Sequence, residues 1–135
     1  MNALVDTNVV LDVLLKREPH FAASAAVMAS IEMGHCQGSL CATTVTTIHY
    51  LAERSLGAKE SRNQIAKLLK IFDVAAVNRA VLEQSLISKF SDYEDAVLHE
   101  AAMIAGPDCI ITRNTKDFGK AKIPVYTPSQ FLERL

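Results

Sequence analysis

Short apolar runs alternate with amphipathic helical stretches along this chain, and that alternation restricts it to very few architectures. Residues 2–5 and about 108–112 read as buried strands, with 39–43 and 71–77 as weaker candidates and a last short strand near 123–126. Between them the sequence predicts helices with clear punctuation. One runs from Val9 to Leu15; a second has Pro19 in its first turn and extends to about Met33 before Gly34, with Phe21, Ala25, Met28 and Ile31 on one face. Others cover about 44–56, stopped by Gly57, then 59–70, and 79–89 with Asn78 as cap. Ser91 and Glu94 have capping-box spacing at the start of a helix over 92–105 that ends at Gly106-Pro107, and Thr127, Pro128 and Gln130 announce the last helix. Strands alternating with helices imply an α/β fold with a parallel sheet covered on both faces.

The 135 residues are of single-domain size, with no repeat, low-complexity tract or linker to divide them, so one domain over 1–135 is expected. Half the residues are hydrophobic and 21% are charged, a globular composition. The N-terminus is expected to form a strand rather than a secretion signal, and no window reaches the length of a membrane span. Cys36, Cys41 and Cys109 are odd in number and form no CxxC pair, which argues against a disulfide framework or a zinc knuckle and fits a cytoplasmic protein with Cys41 and Cys109 in the core. A net charge of −1 provides no global field for a polyanion. A local stripe from Lys16, Arg17, Arg54, Lys59, Arg62, Lys67 and Lys70 remains a candidate, set against the ordinary solvated face of an amphipathic helix.

Three acidic segments, far apart in the chain, fall where a strand ends or a helix begins: Asp6 in ALVDTNVVLD, Asp92/Glu94/Asp95 in SDYEDAVLHEAA, and Asp117 in CIITRNTKDF. In open α/β sheets this is the edge at which ligands bind. Carboxylates gathered there repel one another unless a cation or a shared proton compensates, so a divalent-metal site is the economical expectation. Each segment also has a bland reading. Asp6 suits a helix N-cap, with Thr7 and Asn8 able to share the task, and acids in a first helical turn complement the macrodipole. Three acids in four positions exceed what capping needs, and Asp95 shares a face with Leu98, Ala102 and Ala105, so it is expected to point inward. After the 108–112 run, Thr112 and Asn114 offer hydrogen bonds to carboxylates or water, and Arg113 offers a guanidinium to a phosphate. His99, one turn after Asp95, is expected to face solvent or to orient that acid.

LVDTNVVLDVLL, SDYEDAVLHEAA and IITRNTKDF, in that order and spacing, together resemble the PIN-domain family of small metal-dependent ribonucleases, which includes toxins of bacterial toxin–antitoxin pairs. The resemblance covers essentially the whole chain. It implies a three-layer α/β/α sandwich around a parallel sheet, with Mg²⁺ or Mn²⁺ held in a cleft by Asp6, Asp95 and Asp117 as metal ligands and catalytic acids, supported by Thr112, Asn114 and Asp92. It further implies an RNA substrate, with Arg113 on its phosphates, a small antitoxin partner and a homodimer. One departure stands out. The family usually carries a Glu in the helix after the second strand, and in Thr43-Thr44-Val45-Thr46-Thr47-Ile48-His49 that position is assigned to His49. Histidine is a poor ligand for Mg²⁺ and a fair one for Mn²⁺; the alternatives are replacement by Glu53 one turn later, or a catalytically weakened RNA- or protein-binding module. A phosphatase on a doubly wound sheet is disfavoured, because the second Asp it needs two residues after Asp6 is Asn8.

Overall fold

In the computed structural model, which describes residues 1–135, five strands form one parallel sheet in the order β3-β2-β1-β4-β5. The strands are β1 (Asn2–Val5), β2 (Gln37–Cys41), β3 (Asp73–Ala75), β4 (Cys109–Ile111) and β5 (Val125–Tyr126). Seven helices connect and follow them: α1 (Thr7–Leu14), α2 (Phe21–Glu32), α3 (Ala42–Leu56), α4 (Ala58–Ile71), α5 (Arg79–Leu86), α6 (Tyr93–Ala105) and α7 (Pro128–Leu132), with a single 3-10 turn at Thr115–Phe118 after β4. All five expected strands are present. The second lies two residues earlier than the apolar pattern suggests, because Gln37, Gly38 and Ser39 pair with β1 although none is a strand-former by composition.

Side chains alternate across the sheet and so feed two cores. Ala3 and Val5 of β1 with Cys109 and Ile111 of β4 pack beneath α1 to α4 and α7, whereas Leu4 and Ile110 face α5 and α6 on the other side. The result is the three-layer α/β/α sandwich, with Cys36, Cys41 and Cys109 all free and buried. No helix is long and apolar enough to cross a membrane. Gly38 is required by close approach: a Cβ there would lie 2.7 Å from Ile31 Cδ1 and 2.9 Å from the Phe72 ring.

Helix ends follow their chemistry. Asn78 accepts from the Val81 amide, and Thr127 and Gln130 form a reciprocal capping box. Gly106 ends α6 at φ +73°, a conformation that glycine adopts without penalty. The α6 start differs from the expected Ser91–Glu94 box: Asp92 is the N-cap, accepting from the Asp95 amide at 2.9 Å, and this leaves Glu94 with no capping duty. On α2 the inward face is Ser24, Val27, Met28 and Ile31, with Phe21 and Ala25 only half-buried.

Strand order reverses between β1 and β4, which are paired through Ala3–Cys109, Leu4–Ile110 and Val5–Ile111. The carboxyl ends of these two strands therefore open a crevice where connections diverge to opposite sides. Asp6 and Thr112 are the first residues beyond those ends.

Candidate metal centre

A cavity of about 430 Å³ lies over the ends of β1 and β4, lined by Asp6, Asp92, Glu94, Asp95, Asn114 and Asp117 together with Thr7, Asn8, Leu11, Thr44, Leu51 and Leu98. The fold thus gathers the three acidic segments, about 90 and 20 residues apart in the chain, at one edge of the sheet. Each acid arrives differently. Asp6 leaves the buried end of β1 and is 7% exposed. Asp95 projects from the first turn of α6 and is half-buried, whereas Asp117, on the 3-10 turn, and Asp92 stand at the exposed rim.

Asp6 is held by a hydrogen-bond network that crosses the strand-order reversal. Its Oδ1 accepts from the Thr7 amide at 2.7 Å, and its Oδ2 accepts from Thr112 Oγ1 at 2.8 Å and from Asn8 Nδ2 at 3.3 Å. Asn8 in turn accepts the Arg113 amide at 3.2 Å, and Thr112 Oγ1 accepts the Asn114 amide at 3.1 Å. Burial pushes the Asp6 carboxyl above the usual carboxylate range; the Thr112 and Thr7 bonds oppose that rise, and the Glu94 and Asp117 charges add to it. Asp95 has no such donors. Burial, then repulsion from Asp6, Asp92, Asp117 and Glu94, raises it to about 7. Both shifts are in the direction expected where carboxylates crowd together in a partly buried cleft.

Oxygen-only donors of this charge are of the type that suits a hard divalent cation such as Mg²⁺ or Mn²⁺, and burial together with mutual repulsion raises the proton affinity of Asp6 and Asp95. In the present side-chain positions no three Asp, Glu, His or Cys groups converge into a closed shell. A closed shell around a cation would need rotamer adjustment of the exposed rim acids.

Three expectations need correction. His49 does not enter the cleft: the α3 residues that line it are Thr44 and Leu51, with Thr47 on the same face hydrogen-bonded to Glu94, and position 49 lies two residues from both 47 and 51, on the opposite side of the helix. His49 instead faces α4 beside Val45, Arg62, Ile65 and Leu69, and its Nδ1 stands 3.8 Å from Glu53, which is outside the cleft as well. The Arg113 guanidinium, expected on phosphate, is committed to Asp12: Nε donates to Oδ2 at 2.7 Å and Nη2 to Oδ1 at 3.0 Å, with Asp12 fully buried. Its exposed edge lines a neighbouring cavity of about 370 Å³ with His20, Ser24, Thr127 and Ser129, joined to the first through Asn114. His99 neither faces solvent nor touches Asp95; it is buried, stacked on Phe90, and its Nε2 accepts the Lys122 amide at 3.1 Å.

Sequence reasoning missed Asp12, Thr44, Leu51 and the cross-cleft placement of Glu94. Asp12 was findable: an acid within the apolar run VVLDVLL needs a buried partner. Thr44 and Leu51 needed the correct phase of α3, which hydroxyl composition alone does not give.

Comparison with known proteins agrees with the geometry. No curated protein matches the chain at a significant level. Among solved structures, a toxin–antitoxin complex from Klebsiella pneumoniae superposes with a TM-score of 0.68 at 25% identity, covering 93% of this chain and 97% of that one. DNA-bound VapBC from Salmonella typhimurium gives 0.70 at 14% identity, covering 95% and 98%. The Mycobacterium tuberculosis toxin VapC20, described as cleaving the sarcin–ricin loop, gives 0.66 at 15% identity, covering 80% and 86%. The sequence itself matches the PIN-domain family over residues 2–116, nearly its whole length, and with the acids of all three segments opening into one crevice at the β1/β4 reversal, this chain belongs to the PIN-domain family.

Proposed function

We propose that this chain is a Mg²⁺- or Mn²⁺-dependent endoribonuclease that hydrolyses RNA phosphodiester bonds and serves as the toxin of a toxin–antitoxin pair. The observation that carries this reading is the convergence of Asp6, Asp95 and Asp117 at the strand-order reversal, with Asp95 raised to about 7. Membership of the PIN-domain family supports it, as do neighbours described as toxin–antitoxin complexes and one described as cleaving the sarcin–ricin loop.

Asp6, Asp95 and Asp117 would hold the cation. When bound, it supplies an acidified water and stabilises the charge that develops on the scissile phosphate. The chain's own part is positioning. Thr112 and Asn8 fix both the plane and the reach of the Asp6 carboxylate, so the most buried acid has one orientation. Asp95, raised to about 7, would be one of the holding carboxylates beside Asp6, and Asn114 offers an uncharged donor and acceptor at the boundary between the two cavities. Arg113 acts as a positioning residue: its ion pair with Asp12 ties the segment after β4 to α1, and so sets Thr112 against Asp6.

A small antitoxin covering the acidic cleft and a homodimeric state belong to the same proposal. The second reading, a PIN-like module that binds RNA or protein without cutting, is favoured by one observation: α3 presents no carboxylate to the cleft. The two separate in one experiment. Purified protein is incubated with a pool of structured and single-stranded RNA in Mn²⁺, Mg²⁺ or EDTA, beside Asp6→Asn and Asp95→Asn. Metal-dependent cleavage lost in both variants is expected, whereas no cleavage above the variants would leave the binding module.

A further inference from the structure

The cleft has an asymmetric charge distribution. One side carries Asp6, the α6 acids and Asp117, while the α3 side contributes Thr44 and Leu51 to the lining, with the Thr47 hydroxyl bonded to Glu94. Across that gap the Glu94 carboxylate reaches α3, where Thr47 Oγ1 donates to its Oε1 at 3.2 Å. We propose that Glu94 is a metal-ligating carboxylate of this centre, delivered from α6 to the wall that α3 leaves without an acid. The inference rests on the divalent-cation site of the proposed nuclease and adds a residue to it.

Two simpler roles for Glu94 do not account for its position. Capping is already done by Asp92, whose side chain takes the Asp95 amide. An acid present only to complement the helix dipole gains nothing from bridging to another helix and has water on every side to choose from. Glu94 instead stands over the cavity with one oxygen held and the other free, and a hydroxyl donating to a carboxylate is the outer contact that orients metal ligands. Its charge is felt by both Asp6 and Asp95, which places it within electrostatic reach of the two innermost acids. The donor chemistry is hard oxygen, as Mg²⁺ and Mn²⁺ prefer.

The test is Mn²⁺ binding by isothermal titration calorimetry at pH 8, with no RNA present, on the wild type, Asp6→Asn, Glu94→Gln and Glu94→Gln/Thr47→Glu. Metal-free melting curves run alongside, and Glu94→Gln should melt no lower than wild type because it relieves repulsion. The expected result is saturable binding by the wild type, loss in Asp6→Asn, at least tenfold weaker binding in Glu94→Gln, and recovery to within threefold in the double variant, whose carboxylate comes from α3. If the wild type binds no Mn²⁺, or binds it no better than Asp6→Asn, the metal reading falls and this inference with it. If Asp6→Asn loses binding while Glu94→Gln stays within twofold of wild type, or if the double variant recovers nothing, the Glu94 assignment is overturned and the metal site stands without it.

Discussion

Arg113→Gln should lower the stability of this protein rather than remove a substrate contact. Asp12 is fully buried, and apart from the guanidinium its only side-chain partner is the Ser24 hydroxyl at 3.5 Å. Removing the arginine leaves a buried carboxylate without compensation, a change that costs about 3–5 kcal/mol. In a domain of this size about 1 kcal/mol corresponds to about 3–4 °C in Tm, so the variant should melt about 10–18 °C below wild type. The reverse removal is asymmetric. Arg113 is 26% exposed and can turn to water, and an amide at position 12 can still accept one hydrogen bond, so Asp12→Asn should lose only about 1–2 kcal/mol. Replacing both by apolar residues of similar size, Asp12→Leu/Arg113→Met, should recover most of the loss, because a buried pair is seldom better than good packing. Thermal denaturation followed by circular dichroism, with RNA cleavage measured well below each melting point, reads all three. An Arg113→Gln protein that melts within 3 °C of wild type and yet cleaves RNA poorly would refute the reasoning and return the guanidinium to the substrate.

Metal-free protein should lose stability as pH rises from about 4 to about 7 and then level off. A carboxyl raised on folding binds its proton more tightly in the native state, so its contribution is complete below the unfolded value and gone above the folded one, which for Asp95 is about 7. Because Asp95 is only half-buried, solvent screening reduces the effect to about 1–2 kcal/mol; melting curves from pH 5 to 8 should show the trend in wild type and a smaller one in Asp95→Asn, where the raised Asp6 remains. His49→Ala should leave Mn²⁺ affinity and cleavage within twofold of wild type, since the imidazole faces α4; a tenfold loss in calorimetry would place it back in the cleft. Gly38→Ala should cost about 1–3 kcal/mol through collision with Ile31 and Phe72, seen as an earlier urea midpoint with unchanged slope.

Much of the fold was legible because its signals are local. Apolar runs, Gly57, Asn78, Gly106 and the Thr127–Gln130 pair each act within a few residues, and the structure uses all of them. The second strand was displaced because pairing to β1, not composition, recruits Gln37 and Gly38. Asp6, Asp95 and Asp117 could be singled out from their places at strand and helix ends, since topology brings such places together in any sheet of this kind. Arg113 and His49 could not be placed that way. A cation beside a strand end can face a ligand or a buried acid, and the deciding residue, Asp12, lies 101 positions away in sequence. For His49 the deciding quantity is helical phase: a difference of two residues carries a side chain to the other side of α3.

The same distant pair bears on how so crowded a set of acids is kept in order. Asp6 is the acid that cannot retreat, because it leaves a buried strand; three donors therefore surround it, two of them from Asn8 and Thr112. Those donors are themselves fixed from outside the cleft, Asn8 by the Arg113 amide and the Arg113 segment by Asp12 on α1. Asp95, with no donor set, has its carboxyl raised to about 7 by burial and by its acidic neighbours, and the rim acids are screened by exposure. Three separate features thus bear on one electrostatic problem: fixed donors at Asp6, a raised proton affinity at Asp95, and solvent exposure at the rim. If the proposed metal site is correct, its innermost carboxylate is preorganised and its rim acids are free to adapt, so Thr112→Val, which removes the Oγ1 donor and keeps the shape, should weaken Mn²⁺ binding more than any single change at the exposed rim outside Glu94. Calorimetry on Thr112→Val and Asp92→Asn side by side gives the comparison, and equal losses in the two would show that charge number, not preorganisation, governs this centre.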